Sequence, residues 1–81
     1  MYATEKVNAR ILKTLRTLMD FSQQDVADRM GISLSNYQQK ENGHIDFRAS
    51  ELHKLSKIFG VALETFFGNE ADIYKTMRRE K

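Results

Sequence analysis

With 81 residues and neither cysteine nor proline, the chain has room for one small domain with a modest core, and disulfide or thiolate chemistry is excluded. A net charge of +2 is too slight to indicate a nucleic-acid partner by itself, so any such role must place its charge locally. No apolar run approaches the ~20 residues needed to span a bilayer, and the first residues (M-Y-A-T-E-K) carry no signal-peptide pattern; a cytoplasmic protein without a membrane partner is expected.

The periodicity predicts a first helix, capped by Thr4 and running to about Met19. Val7, Ile11, Leu15 and Leu18 share one face, with Leu12 and Met19 beside them, while Lys6, Arg10, Lys13 and Arg16 fall outside that set. Asp20 and Phe21 connect it to the next element. Ser22 is an N-cap with Asp25 in the first turn behind it; Val26, Ala27 and Met30 follow at helical spacing, and Gly31 is the stop. Ser33 is a second N-cap only two residues later, opening a helix to about Asn42 that ends at Gly43. Two short helices joined by so tight a turn must cross steeply, which is helix-turn-helix geometry, and the small Ala27 suits a close approach.

His44–Arg48 reads as a loop. A fourth helix covers Ser50 to Phe59, with Leu52, Leu55, Ile58 and Phe59 apolar, Gly60 as its stop, and either Asp46 or Ser50 as its cap. A short fifth helix, about Ala62–Phe67, carries Leu63, Phe66 and Phe67 and stops at Gly68. The tail, 69–81, has Ile73 and Met77 four apart with Tyr74 beside them, and a basic end of Lys75, Arg78, Arg79 and Lys81; it reads as a sixth helix or a frayed terminus. All four glycines sit where helical patterns end and no β-alternation is visible, so the fold class is all-α. The expected organisation is a domain over 1–68 followed by a tail.

L-K-T-L-R (12–16), F-S-Q-Q-D-V-A (21–27), M-G-I-S (30–33), Y-Q-Q-K-E-N-G (37–43), L-x-x-L-S-K-I-F-G-V (52–61) and L-E-T-F-F (63–67) occur in order and without a gap. Together they resemble the helix-turn-helix domains of phage repressors, Cro proteins and the Xre-type bacterial regulators. The resemblance implies a five-helix, lambda-repressor-like bundle whose third helix enters the major groove of double-stranded DNA, with a homodimer meeting two half-sites about one DNA turn apart. Base reading is implied at Leu34, Ser35 and Gln39, with Asn36 and Gln38 near the same face. The residues agree in part, because amides and hydroxyls pair with base edges and Gln and Asn suit adenine. Leu34 could meet a thymine methyl or pack within the protein.

Further contacts are carried over the same way. Gln23 and Ser33 match positions at helix starts that touch phosphate, while Asn42, His44 and Arg48 match positions near the backbone or minor groove. Arg16 and Glu41 match a pair that joins the first helix to the end of the third and sets its angle. Two residues depart from the pattern. Lys40 replaces an aliphatic residue and is expected to lay its stem on the core and reach water, and so phosphate, with its ammonium; Ala62 replaces a helix-capping serine or threonine. Phe66, Phe67, Ile73, Tyr74 and Met77 are the candidates for a dimer interface, against ordinary core packing.

Other chemistry finds little support. His44 and His53 form no metal-ligand pair at helical spacing, no nucleophile has a positioned base, and no glycine-rich phosphate loop is present. The expectation is no enzyme, no metal and no cofactor. Three readings stand. The leading one is a sequence-specific regulator, a repressor acting as a homodimer. An antitoxin or restriction-modification controller would bind a protein partner as well. A helix-turn-helix used only for protein contacts is kept open by the acidic balance of 22–47, where Asp25, Asp28, Glu41 and Asp46 face only Arg29 and Lys40.

Overall fold

The computed structural model of the chain describes residues 7–68. Within them lie four α-helices, Ala9–Met19 (α1), Gln23–Met30 (α2), Leu34–Glu41 (α3) and Ala49–Phe59 (α4), followed by a 3-10 turn at Leu63–Phe67. No strand occurs among the described residues, and none of the helices is long and apolar enough to cross a membrane.

The cap of α1 is Asn8, whose side-chain oxygen accepts from the Arg10 N–H at 3.0 Å; Thr4, the expected cap, lies outside the described residues. Asn8 also ties the two ends of the domain together. Its N–H donates to the Phe66 carbonyl at 2.9 Å and its side-chain amide to the Gly68 carbonyl at 3.1 Å. Ile11, Leu12 and Leu15 are fully buried. Leu18 departs from the expected face and is 44% exposed, because Met19 takes the core contact at that end. The helix ends on Asp20 in the left-handed conformation (φ 62°), a place that usually falls to glycine.

Ser22 and Asp25 form a complete capping box on α2: the hydroxyl accepts from the Asp25 N–H at 3.0 Å and the carboxylate accepts from the Ser22 N–H at 2.8 Å. Gly31 closes α2 with φ 77°, and Lys54 donates to the Met30 carbonyl at 3.2 Å. Ser33 then caps α3 through the Asn36 N–H at 3.0 Å. Both helices of the central pair therefore start and stop where their polar side chains and glycine dictate.

The cap of α4 is neither Asp46 nor Ser50 but Arg48. A guanidinium has no acceptor, so the available N–H groups are met in another way. Glu51 reaches back to accept from the Arg48 N–H at 2.9 Å. The expected fifth helix is a 3-10 turn, which corrects the helix count to four α-helices and a turn. Between Ala62, which offers no capping side chain, and Gly68 there is too little chain for an uncapped α-helix to nucleate. The tail, 69–81, and its expected helix lie outside the described residues.

The core is drawn from every element: Ile11, Leu12, Leu15, Val26, Ala27, Met30, Tyr37, Leu55, Phe59 and Phe66. Phe66 is fully buried, so it packs the domain's own centre and is not available to a second subunit. Phe21 stacks obliquely on Phe59 at 6.2 Å, and the Arg29 guanidinium covers its ring at 4.4 Å.

Candidate nucleic-acid interface

The two sides of α3 have opposite characters. Its inner side buries Tyr37, Lys40 and Glu41. Glu41 has no exposed surface, and each of its carboxylate oxygens accepts two hydrogen bonds. Oε2 receives Arg16 Nε and the Tyr37 hydroxyl, both at 2.7 Å. Oε1 receives the Gln23 amide at 2.7 Å and Arg16 Nη2 at 3.2 Å. Arg16 spends its remaining nitrogen on the Phe21 carbonyl at 3.2 Å. The Glu41 carboxylate thus links α1, α2 and α3, and Arg16 adds the α1–α2 connection.

The charges in this knot support one another. Burial alone would raise the Glu41 pKa, but the hydrogen bonds from Arg16, Tyr37 and Gln23 outweigh it and hold the carboxyl below the usual glutamate range. Burial likewise opposes the Arg16 charge, and the bonds to Glu41 overcome it, so its pKa is raised. Burial, then the neighbouring Glu41, pushes the Tyr37 phenol upward. Glu41 is ionised and Tyr37 neutral at ordinary pH. Such a pair adds little net stability over an apolar isostere, but it accepts only one arrangement of the three helices.

Lys40 corrects the expectation of an ammonium in water. The residue is only 8% exposed, and Nζ donates to Glu51 Oε1 at 2.7 Å while lying 5.9 Å from the Phe47 ring centroid. Lys40 therefore joins α3 to the first turn of α4. Burial would raise the Glu51 pKa, but the Arg48 N–H and then the Lys40 ammonium outweigh it and hold the carboxyl below its ordinary range.

On the outer side, Ser35 and Gln39 are exposed and their side chains make no hydrogen bond within the described residues, while Leu34, Asn36 and Gln38 are half-buried. The Ser33 hydroxyl is the α3 cap. Gln23, expected at phosphate, spends both ends of its amide inside the protein: its nitrogen on Glu41, and its oxygen on the Gln38 amide at 3.0 Å. Asn42, His44 and Arg48 are exposed in and beside the loop after α3, where the His44 and Ile45 N–H groups bond back to the Gln39 carbonyl at 2.8 and 3.3 Å. The fold therefore brings Leu34, Ser35, Asn36, Gln38 and Gln39 together on one helix, with the loop residues at its far end. Of the interface candidates, Phe67 is 37% exposed, and Ile73, Tyr74 and Met77 lie outside the described residues.

A family model described as helix-turn-helix matches residues 12–66, from the first turn of α1 to the 3-10 turn. The chain belongs to the phage-repressor and Cro-like (Xre-type) helix-turn-helix family. As a member it is a DNA-binding regulator of transcription. Among solved structures, the chain is similar to the crystal structure of a hypothetical transcription factor, NHTF, from Neisseria, with 17% identity over 98% of each chain and a TM-score of 0.69. That likeness is one of fold. No curated protein matches the sequence.

Within this helix-turn-helix, Tyr37 and the Gln38–Gln23 link are the residues that sequence reasoning missed. Tyr37 had a signal, because it sits four residues before Glu41 on one helix face and so within reach of its carboxylate. The Gln38–Gln23 link had none, since it depends on how closely α2 and α3 cross.

Proposed function

We propose that this protein is a sequence-specific repressor that binds double-stranded DNA as a homodimer and reads the major groove with α3. The observation that carries the reading is the contrast between the sides of that helix: the inner side is locked by hydrogen bonds, and the outer side offers polar groups, Ser35 and Gln39, without partners within the described residues. Ser35 and Gln39 make base contacts, supported by Asn36 and Gln38, and Leu34 meets a thymine methyl. The N-terminus of α2, together with Ser33, Asn42, His44 and Arg48, approaches the phosphates and adjoining minor groove and sets the register. Arg16 and Glu41 hold the reading angle. One eight-residue helix touches few base pairs, so a second subunit is needed for an operator of useful length. Phe67 and Leu63, both partly exposed, support an interface at the 3-10 turn. Repression requires only that the bound dimer cover promoter DNA.

The test is fluorescence anisotropy on the DNA upstream of the protein's own gene across several salt concentrations, with a scrambled duplex of equal composition as the control. Tight binding that is lost on scrambling, and that falls at least roughly tenfold in Ser35→Ala/Gln39→Ala, is expected for a base-reading helix. Equal weak binding to both duplexes counts against the reading. Sedimentation of the complex should give two protein chains per operator. Arg16→Ala should weaken binding and also lower thermal stability, since it leaves the buried Glu41 without its cation; unchanged affinity and stability in that variant would remove the orienting role of the pair.

A further inference from the structure

The Glu41 knot does more than fix the angle of α3. A carboxylate can only accept hydrogen bonds, so Gln23 must turn its NH2 group, and not its oxygen, toward Glu41. The Gln23 oxygen is then forced outward, where it can only accept, and the group that meets it is the NH2 of Gln38. The direction of every bond in the series Gln38 to Gln23 to Glu41 is thus set by the buried charge at its end. An isolated glutamine amide is free to turn over and exchange its donor and acceptor; this one is not. One of the two N–H groups of Gln38 is tethered, so its amide cannot turn over, and its carbonyl oxygen, free of any partner within the described residues, keeps one place on the α3 face it shares with Leu34 and Ser35.

We propose that Gln23 is a specificity-setting positioning residue: it transmits the polarity of buried Glu41 to Gln38, so that Gln38 presents an acceptor and selects an exocyclic amino group in the groove. That group is adenine N6 or cytosine N4, against thymine O4 or guanine O6, which carry no hydrogen to donate. The inference rests on the reading of α3 as the groove helix. It assigns Gln23 a role distinct from phosphate contact, resting on the oxygen and the one N–H that it bonds within the protein.

The experiment is selection of binding sites from a randomised duplex, read by sequencing, for the wild type, Gln23→Met and Gln38→Glu, each checked by thermal melting. Gln23→Met keeps the length of the side chain but removes both the donor and the acceptor, releasing Gln38 to turn over. The wild type should favour an amino-bearing base roughly tenfold at one position in each half-site, as expected of a single well-placed hydrogen bond. In Gln23→Met that preference should fall to about twofold, with preferences at the other positions and the half-site spacing retained. Gln38→Glu, which can present only acceptors, should keep the preference at the same position with weaker overall binding. It tests the acceptor at position 38 alone, since a carboxylate cannot donate to the Gln23 oxygen; if Gln23→Met does not fold, Gln23→Leu makes the same cut and takes its place.

A Gln23→Met protein that loses affinity uniformly, with every base preference intact, overturns the proposal and returns Gln23 to a phosphate or purely structural role. Loss of the amino-base preference in Gln38→Glu overturns it as well. A wild type that selects no sequence at all fails earlier, at the reading of α3 itself, and the two failures are told apart by whether the other positions remain specified.

Discussion

The inner and outer sides of α3 use the same kinds of side chain to opposite ends. Inside, Glu41 and Lys40 are buried and bonded, Glu41 to three side chains and Lys40 to Glu51. Outside, Ser35 and Gln39 are exposed, and their side chains have no partner within the described residues. Polar groups on the inside restrict the helix to one orientation, because any other would strand a buried charge. Those on the outside are free to be satisfied by something else. A reading helix needs both, since a base contact is specific only if the helix that delivers it cannot shift.

The comparison can be broken hardest at Glu41. Glu41→Ala should cost about 3–5 kcal/mol, because it leaves the Arg16 guanidinium and the Tyr37 hydroxyl without their partner; urea denaturation measures it, and a loss under about 1 kcal/mol would mean that the knot relaxes freely. Acid attacks the same point. Since the folded Glu41 pKa lies below its unfolded value, its contribution is fully present above the ordinary glutamate range and is lost as the pH falls through the folded value. Glu51 and Asp25 act in the same direction. Denaturation midpoints followed from pH 7 down to pH 3 should therefore drop mainly in the acid part of the range.

Tyr37→Phe is a gentler cut. It removes one of four bonds to Glu41 while leaving the ring in the core, and should cost about 1–2 kcal/mol by the same denaturation assay. Smaller still is a gain at the end of α1. Asp20 holds a left-handed conformation and places a negative charge at a helix C-terminus, so Asp20→Gly should stabilise the domain by about 0.5–1 kcal/mol, seen as a higher melting temperature. The outer side should register least. Ser35→Ala/Gln39→Ala is expected to change stability by less than about 0.5 kcal/mol, although it removes base contacts. A large loss of stability there would mean that the outer side is also structural, and the contrast between the two sides would not hold.

Local chemistry determined much of this protein before any packing was known. Ser22, Asp25, Gly31, Ser33 and Gly60 mark helix ends through bonds or backbone angles that involve only near neighbours, so their roles could be read directly. The apolar spacing likewise placed Ile11, Leu15, Val26, Met30, Leu55 and Phe59 in the core. The family pattern pointed to the Arg16–Glu41 pair, whose partners lie 25 positions apart.

Tertiary structure alone decided the rest. The pairing of Lys40 with Glu51, the burial of Phe66 and the exposure of Leu18 all depend on which elements lie against which. The shortening of the last helix to a 3-10 turn depends on the little chain left before Gly68 and on an N-terminus without a capping side chain. Above all, the direction of the Gln38–Gln23–Glu41 series follows from a charge buried between helices. Periodicity and capping are properties of neighbouring residues and can be read along the chain. Burial belongs to the packed whole, and it is burial that turns a flexible glutamine into one with a fixed polarity.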